Sequence, residues 1–476
     1  MGKAAGAYLT VFLALCLTAV VALYLTLLDG VRRNGARLEA ECVTDIGLQS
    51  IMAEYHRELM RRYNLFAIDS SYGTDVCGKS NTEEHLRKYL ERNMDYGDIF
   101  LSGFLYKDFF ALHVEEVWLT KVSILTDGKG EVFRKCAIGA VKADAGLDYL
   151  RELRGWLEVI EVNGLEEGAG EAEKQKPVTG IEETDWENLG VENPAARLEE
   201  KRRLGILKLV VEDEESLSRN VVYLENLVQN RLRLNRVNQG NMEREPLAGG
   251  ERILEQFLFQ EYLLQYMGRY GEEEEGERAL RYQMEYLVAG KESDLENLRS
   301  VANRICVIRE AANATYLLSD KTKRQEIKLA AELICALIAL PELTPIVEGA
   351  ILLGWAYAES VYDVKTIMEG GRIPLLKDDE SWHYGLEKAL AGDLDEKADY
   401  GKGLDYQDYL RIFMMTVNTD TLTARAMDMV EADIRKTPGN SAFRLDGCFE
   451  AVEACVRIDS AYGYRYEIIR GKNYGR

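Results

Sequence analysis

The stretch from Ala4 to Leu28 constrains this chain more than any other. It reads AAGAYLTVFLALCLTAVVALYLTLL, 25 residues without a charge, between Lys3 and Asp29. A helix of that length reaches about 37 Å, enough to cross a hydrocarbon core of about 30 Å with some tilt. A secretory signal peptide is the competing reading, but its apolar core is usually about 7–15 residues and ends in a small-residue cleavage site. Here the run is longer and is followed by Asp29-Gly30-Val31-Arg32-Arg33. The expectation is an uncleaved anchor associated with a lipid bilayer.

The same stretch carries a second pattern. Gly6, Thr10, Ala14, Thr18, Ala22, Thr26 and Gly30 recur every four residues. Small residues at that spacing let membrane helices approach closely, so the stripe suits packing against another membrane helix, an oligomer included. The alternative is ordinary Ala and Thr usage in such helices. Charge leaves the orientation open. Lys3 precedes the span, whereas Arg32, Arg33 and Arg37 follow it. Positive charge favours the cytoplasm, but long domains translocate largely regardless of that bias.

About 446 residues follow the anchor, more than the ~250–300 at which a single core stops growing, so two subdomains or one core with insertions are expected. The formal charge is −22, from 81 acidic and 59 basic residues, and no sustained basic block occurs. That balance argues against nucleic-acid binding and against adhesion to anionic lipid, and favours solubility. The eight cysteines, at 16, 42, 77, 136, 306, 335, 448 and 455, include no C-x-x-C pair. Seven lie outside the span, and a disulfide framework is usually denser and even-numbered. Free thiols are expected, Cys448 and Cys455 being the one pair worth weighing.

Along the chain, 29–64 reads as an amphipathic spine helix continuing the anchor, with Leu38, Cys42, Ile51, Met52, Tyr55, Leu59 and Tyr63 on its apolar side and Gly30 and Gly35 as points of weakness. A first α+β segment spans 65–160. It contains a helix opened by Asn81-Thr82, a strand over Leu112 to Leu125, a turn at Asp127-Gly128-Lys129-Gly130 and a helix from Glu131 to Ile160. Residues 161–192 hold ten acidic residues, two lysines and five glycines, and read as an exposed flexible insertion. A helical subdomain with a C-terminal hairpin fills 193–476. Its expected elements are helices at Asn193–Leu204, Gly250–Tyr270 and Ser293–Leu318, then Asp320–Leu340, Pro345–Met368, Asp405–Val417 and Thr419–Arg435. Loop signals stand at Asn238-Gln239-Gly240-Asn241. A strand is expected at Leu280–Val288, and strands at Cys448–Ile458 and Tyr462–Ile469 form the hairpin. The apolar runs within 329–362 are too short to span a membrane and read as a buried helical hairpin.

No motif for metal, phosphate, dinucleotide or nucleophilic chemistry occurs, and no cofactor is expected. His56, His85, His113 and His383 are scattered, and Asp393, Asp395, Asp405 and Asp408 belong to a generally acidic surface. Asn313-Ala314-Thr315 fits a glycosylation sequon, but inside an expected helix.

Two regions carry a family resemblance. One is Thr10 to Leu15 with Arg37 to Glu41 and Ala53 to Leu59. The other includes Gly290 to Asp294, Leu317 to Asp320, Trp355 to Ser360, Pro374 to Lys377, Asp405 to Arg411 and Tyr462-Gly463-Tyr464-Arg465-Tyr466. Together they resemble an uncharacterised domain family of Gram-positive bacteria encoded beside tight-adherence (Flp-type) pilus genes. The N-terminus is similar to the minor pseudopilins TadE and TadG. The resemblance implies a cell-membrane protein with its N-terminus inside and its domain outside, taking part in pilus assembly with other pilus or secretion-system membrane proteins. Pseudopilins that are processed carry Glu five residues after the cleaved Gly; counted from Gly6, that position is Val11. The departure implies an uncleaved chain, as in TadG-type members.

The expected molecule is thus α+β: a predominantly helical extracytoplasmic domain with a small antiparallel sheet, on one N-terminal transmembrane helix. The expected role is structural and non-enzymatic. The rival readings are a membrane-anchored enzyme acting on envelope polymers, which would need convergent carboxylates, and a ligand-binding surface protein.

Overall fold

The computed structural model describes residues 2–95, 110–144, 195–242, 252–272, 277–394 and 401–475. The expected acidic insertion 161–192 and the second half of the helix expected to end at Ile160 lie outside them. The chain forms two compact units: Met1–Cys136 with Val237–Pro246 and Thr437–Arg476, and Ala137–Arg236 with Leu247–Lys436.

In the first unit, α1 (Gly2–Met52) is one helix of 51 residues. It contains no proline, and an interior glycine costs only about 1 kcal/mol, so Gly30 and Gly35 do not end it. The expected spine is corrected in two respects. It stops at Met52, and after a turn the chain starts α2 (Arg57–Tyr63), capped by His56, whose Nδ1 accepts from the Leu59 N–H at 3.2 Å. Its packed face also differs: Leu38 and Cys42 are exposed, whereas Ala36, Ala40, Val43, Thr44, Leu48 and Ile51 are buried. The face that packs is the small one, because it lets neighbours come close. A Cβ on Gly47 would stand 2.8 Å from the Leu90 side chain. Leu90 belongs to α3 (Lys79–Met94), which buries Thr82, Leu86, Leu90 and Met94 at four-residue intervals. This helix starts two residues before Asn81, whose amide instead donates to the carbonyls of Ser70 and Val76.

The sheet is small and antiparallel: β1 (Ile68–Asp69), β2 (Leu112–Ile124), β3 (Cys448–Ser460) and β4 (Arg465–Asn473). β3 is central. β2 runs along one side of it, from Leu112 opposite Ser460 to Ile124 opposite Phe449, and β4 and β1 share the other. The C-terminal hairpin therefore belongs to the first unit, not to the helical region with which sequence order groups it. Its turn lies later than Asp459-Ser460-Ala461. Ser460 N–H donates to Tyr464 O, and Gly463 takes φ +84°, a conformation open to glycine. One sheet face meets α1 and α3 through Val122, Ile124, Val452, Val456, Ile458, Tyr466 and Ile468. None of the eight cysteines is in a disulfide, Cys448 and Cys455 included.

The loop signals at Asn238–Asn241 have a specific use. An unpaired strand edge exposes backbone donors and acceptors. Asn241 covers that of β2: its N–H donates to Val122 O, its Oδ1 accepts from Val122 N–H, and its Nδ2 donates to Thr120 O. Gly240 N–H donates to Asp127 Oδ1, and Asp127 Oδ2 accepts from Ile124 N–H. The predicted turn follows Asp127. Gly128, Lys129 and Gly130 all have positive φ, and the regular part of α4 (Asp127–Asp144) begins beyond them.

The second unit holds helices and no named strand among the described residues. They are α5 (Ala196–Leu204), α6 (Ile206–Val210), α7 (Val228–Arg233), α8 (Arg252–Tyr266), α9 (Gln283–Ala289), α10 (Asp294–Ser319), α11 (Lys321–Leu337), α12 (Thr344–Met368), α13 (Leu386–Ala391), α14 (Tyr406–Thr416) and α15 (Thr419–Arg435). The strand expected at Leu280–Val288 is the helix α9. Its alternation looked like a half-wet strand, but Gln283 and Glu285 are as buried as Met284 and Tyr286. The polar positions are held from within. Gln283 Nε2 donates to Asp433, Glu285 Oε1 accepts from Tyr406 Oη and Tyr270 N–H, and Tyr286 Oη donates to Asp428.

Helix starts follow the expected chemistry at Asp320, which accepts from Lys323 N–H. They do so again at Asp405 and Asp408, which form a reciprocal capping box rather than a merely solvated pair. Ser293 occupies the cap position of α10 without a capping bond, and Asp294 instead accepts from the N–H groups of Arg281 and Tyr282. The expected buried hairpin is buried on one arm only. α12 is enclosed from Gly354 to Val364, whereas α11 leaves Leu329, Leu333 and Leu337 exposed.

Two outcomes follow from this packing. A methyl group at Gly240 would sit 2.5 Å from Val122 O and would also run into the Asp127 carboxylate. Gly240→Ala should therefore lower stability by about 1–3 kcal/mol in denaturant unfolding. Burial raises the carboxyl groups of Glu285 and Asp428 to about 7. The unfolded chain then releases these protons at lower pH than the folded one, so their contribution is full at acid pH and is lost as pH rises to about 7. Glu285→Gln and Asp428→Asn should each flatten that decline, by on the order of 3 kcal/mol between pH 4 and 8.

Candidate functional site: the collared apolar helix and a buried charge cluster

The first half of α1 is the most unusual surface of the chain. From Leu9 to Leu28 its large apolar residues stand exposed, Phe12 at 62% and Leu17 at 64%. This is the one helix among the described residues long and apolar enough to cross a membrane, and none of its most apolar window is buried. A helix near the N-terminus with these properties is either an anchor or a signal sequence. All seven stripe residues lie on it. Thr18 and Thr26 donate their hydroxyls to the carbonyls of Leu15 and Leu23, so these polar atoms are satisfied within the helix. Nothing lies within 4 Å of the position a Gly30 side chain would take.

Where the apolar run ends, the β3–β4 hairpin meets the helix. Tyr464 Oη hydrogen-bonds Asp29, Tyr466 Oη donates to Arg33 O at 2.8 Å, and the Arg32 guanidinium lies 4.0 Å from the Tyr462 ring centre. Farther along, Arg470 pairs with Glu41 at 3.3 Å and Tyr474 Oη donates to Met52 O at 2.6 Å. The Tyr462–Tyr466 motif thus forms a collar of tyrosines and arginines at the base of the exposed segment. Tyrosine and arginine, apolar in body and polar at the tip, favour a membrane–water boundary.

The second unit contains a closed cluster of charges. Arg309 and Asn313 come from α10, Glu359, Ser360 and Asp363 from α12, and Lys377 from the chain after it. Arg309, Glu359 and Asp363 are fully buried, and Lys377 nearly so. Arg309 Nε donates to Asp363 Oδ2 at 2.9 Å, and its Nη1 donates to the carbonyls of Pro374 and Leu375. Lys377 Nζ lies 2.6 Å from Asp363 Oδ1 and also pairs with Glu359. Glu359 accepts from the N–H groups of His383 and Tyr384. Two positive groups therefore match two negative ones, as a dry interior requires.

Sequence reasoning missed this cluster. Glu359 and Lys377 stand in the Trp355–Ser360 and Pro374–Lys377 motifs, but nothing in their spacing showed that they meet. The available signal was two acidic residues four apart, Glu359 and Asp363, inside an apolar helix. The histidines stay dispersed, and Asp395 lies outside the described residues. His56 caps α2, His85 hydrogen-bonds Glu54 at 3.0 Å, and His383 stacks on Tyr362. Asn313 of the sequon is fully buried and donates to Ser360 and Asp363, so it is no glycosylation site in the folded chain. Among the described residues no group of three or more His, Cys, Asp or Glu is arranged to hold a metal ion.

No curated protein and no solved structure matches the chain. A family profile described as a family of unknown function, DUF5702, matches residues 184–460. That match covers more than half of the sequence and includes both the charge cluster and the whole of β3, so the chain belongs to the family DUF5702.

Proposed function

We propose that this protein is a membrane-anchored structural component of a tight-adherence pilus or a related secretion system, similar in role to the minor pseudopilins. The observation that carries the reading is α1 itself. Twenty residues of it, Leu9 to Leu28, offer an apolar surface on all sides, and the same helix continues without a break into the core of a folded unit. A length of about 30 Å matches a hydrocarbon core. The continuous helix would transmit a push or rotation in the membrane directly to the folded unit, which a flexible tether would not do. The collar supports the same placement, with Tyr462, Tyr464, Arg32 and Arg33 at the lipid–water boundary. In this reading the N-terminus is inside, the folded units are outside, and the stripe from Gly6 to Gly30 contacts a neighbouring membrane helix.

Proteolytic shaving of intact cells carrying a C-terminally tagged chain tests the topology. Loss of the tag with an intact cytoplasmic control is expected; full protection, in an envelope shown to admit the protease, would overturn the reading. Cysteine crosslinking tests the stripe. In a Cys16→Ser background, Thr18→Cys and Ala22→Cys should trap a neighbouring helix in native membranes, whereas Val20→Cys, on the opposite side, should not. Equal trapping at all three positions would remove the stripe from the account.

A further inference from the structure

We propose that Lys377 and Asp363 join through their side chains into an intrachain amide, with Glu359 carrying a proton between them. The geometry of the cluster leads to this step. Lys377 Nζ stands 2.6 Å from Asp363 Oδ1, with both side chains almost or wholly buried. That approach lies off the directions of a regular hydrogen bond, so Oδ1 is a buried carboxylate oxygen with no hydrogen-bond partner among the described residues. The other oxygen, Oδ2, accepts from both Arg309 Nε and Asn313 Nδ2 at 2.9 Å. The carboxyl group is thus divided into an oxygen that is held and an oxygen that faces the amine. Two fixed donors on the held oxygen are placed where negative charge would develop during attack at the carbon, which is how preorganised donors lower such a barrier.

Glu359 is placed for proton transfer. It lies one helical turn before Asp363 on α12, so both carboxylates face the lysine. It contacts Nζ directly, and its two oxygens are fixed by the N–H groups of His383 and Tyr384 at 2.8 Å. The rings of Trp382 and Tyr362 lie 5.6 and 6.0 Å from Nζ and keep the site apolar. Holding amine and carboxyl group in contact replaces a bimolecular encounter with an intramolecular one, worth a large effective concentration. Burial also disfavours hydrolysis of the product, because the attacking water is kept out.

The step balances without any added reagent. The Lys377 ammonium gives one proton to Glu359, which passes it to Asp363 Oδ1, and the free amine attacks Cγ of the now neutral carboxyl group. The resulting oxyanion is Oδ2, held by Arg309 and Asn313. The attached nitrogen passes a second proton to Oδ1. The Cγ–Oδ1 bond breaks and Oδ1 leaves as water. The new Nζ–Cγ bond replaces one buried ion pair by a neutral amide, whose carbonyl oxygen keeps both donors. Glu359 and Arg309 are left as the remaining matched pair of charges.

Mass spectrometry of the purified full-length chain in detergent tests the proposal. The intact mass should be one water below that of the sequence. Trypsin should fail to cleave after Lys377 in the denatured protein, and a branched peptide joining Lys377 to Asp363 should be found. Lys377→Arg should restore the full mass, and Glu359→Gln should slow or abolish the loss. A mixture of the two masses with the branched peptide present still supports the bond. The full mass in the wild-type chain, with ordinary cleavage after Lys377, overturns it, as does a water loss that maps elsewhere. The decisive reading is made on the wild-type protein and does not depend on any variant folding.

Discussion

The pairing of β3 with its neighbours is the interaction on which the first unit depends. β3 supplies the middle of the sheet, and Val452, Val456 and Ile458 on it fill the space between the sheet and α1. Without it, β2 and β4 have no partner, and the buried face of α1 from Ala36 to Ile51 is left with α3 alone to pack against. The small residues on that face are part of the same arrangement. Alanine and glycine allow a sheet and a second helix to approach one helix closely, and burial of the surrounding leucines, isoleucines and valines, at roughly 25 cal/mol per Å² of apolar surface, supplies the driving force.

The second unit is governed by a different constraint. Its interior contains many charged and polar groups, each of which costs several kcal/mol to dehydrate unless it is matched. The solutions vary. Asp428 and Glu285 are held by neutral donors and pushed toward the protonated form. Glu431 is gripped by Arg231 through two bonds of 2.7 Å and also by Arg435. Glu310 meets Arg202, which also lies over the Tyr357 ring. Such interiors specify one arrangement closely, because sliding a helix by one turn would strand several charges at once.

The readable part of the fold is the part set by local rules. The apolar run, β2, and the helices α12, α14 and α15 follow from composition, periodicity and caps, and their observed limits lie close to the expected ones. Two of the departures share one cause. Periodicity places large residues such as Leu38 on the apolar side of α1, although Ala36 and Ala40 make the contact. The alternation of Gln283 and Glu285 with apolar residues reads as a strand with one wet face, although α9 buries them all. In both cases periodicity registers hydrophobicity, whereas the structure sorts residues by size or by the partners waiting for them. The charge cluster was illegible for a related reason: Arg309, Asp363 and Lys377 converge only after α10, α12 and the following loop have packed.

The position of β3 in the chain also bears on how the protein is made. The strands that complete the first unit are translated after every residue of the second unit, with more than three hundred residues between β2 and its partner. Pairings of such separation form slowly. The emerging chain therefore has α1, α3 and β2 in place early, with an uncovered apolar face and an unpaired strand edge, while the second unit can already fold. During synthesis the apolar half of α1 and this waiting half-core are exposed together. Whatever receives the first must keep the second from aggregating until β3 arrives.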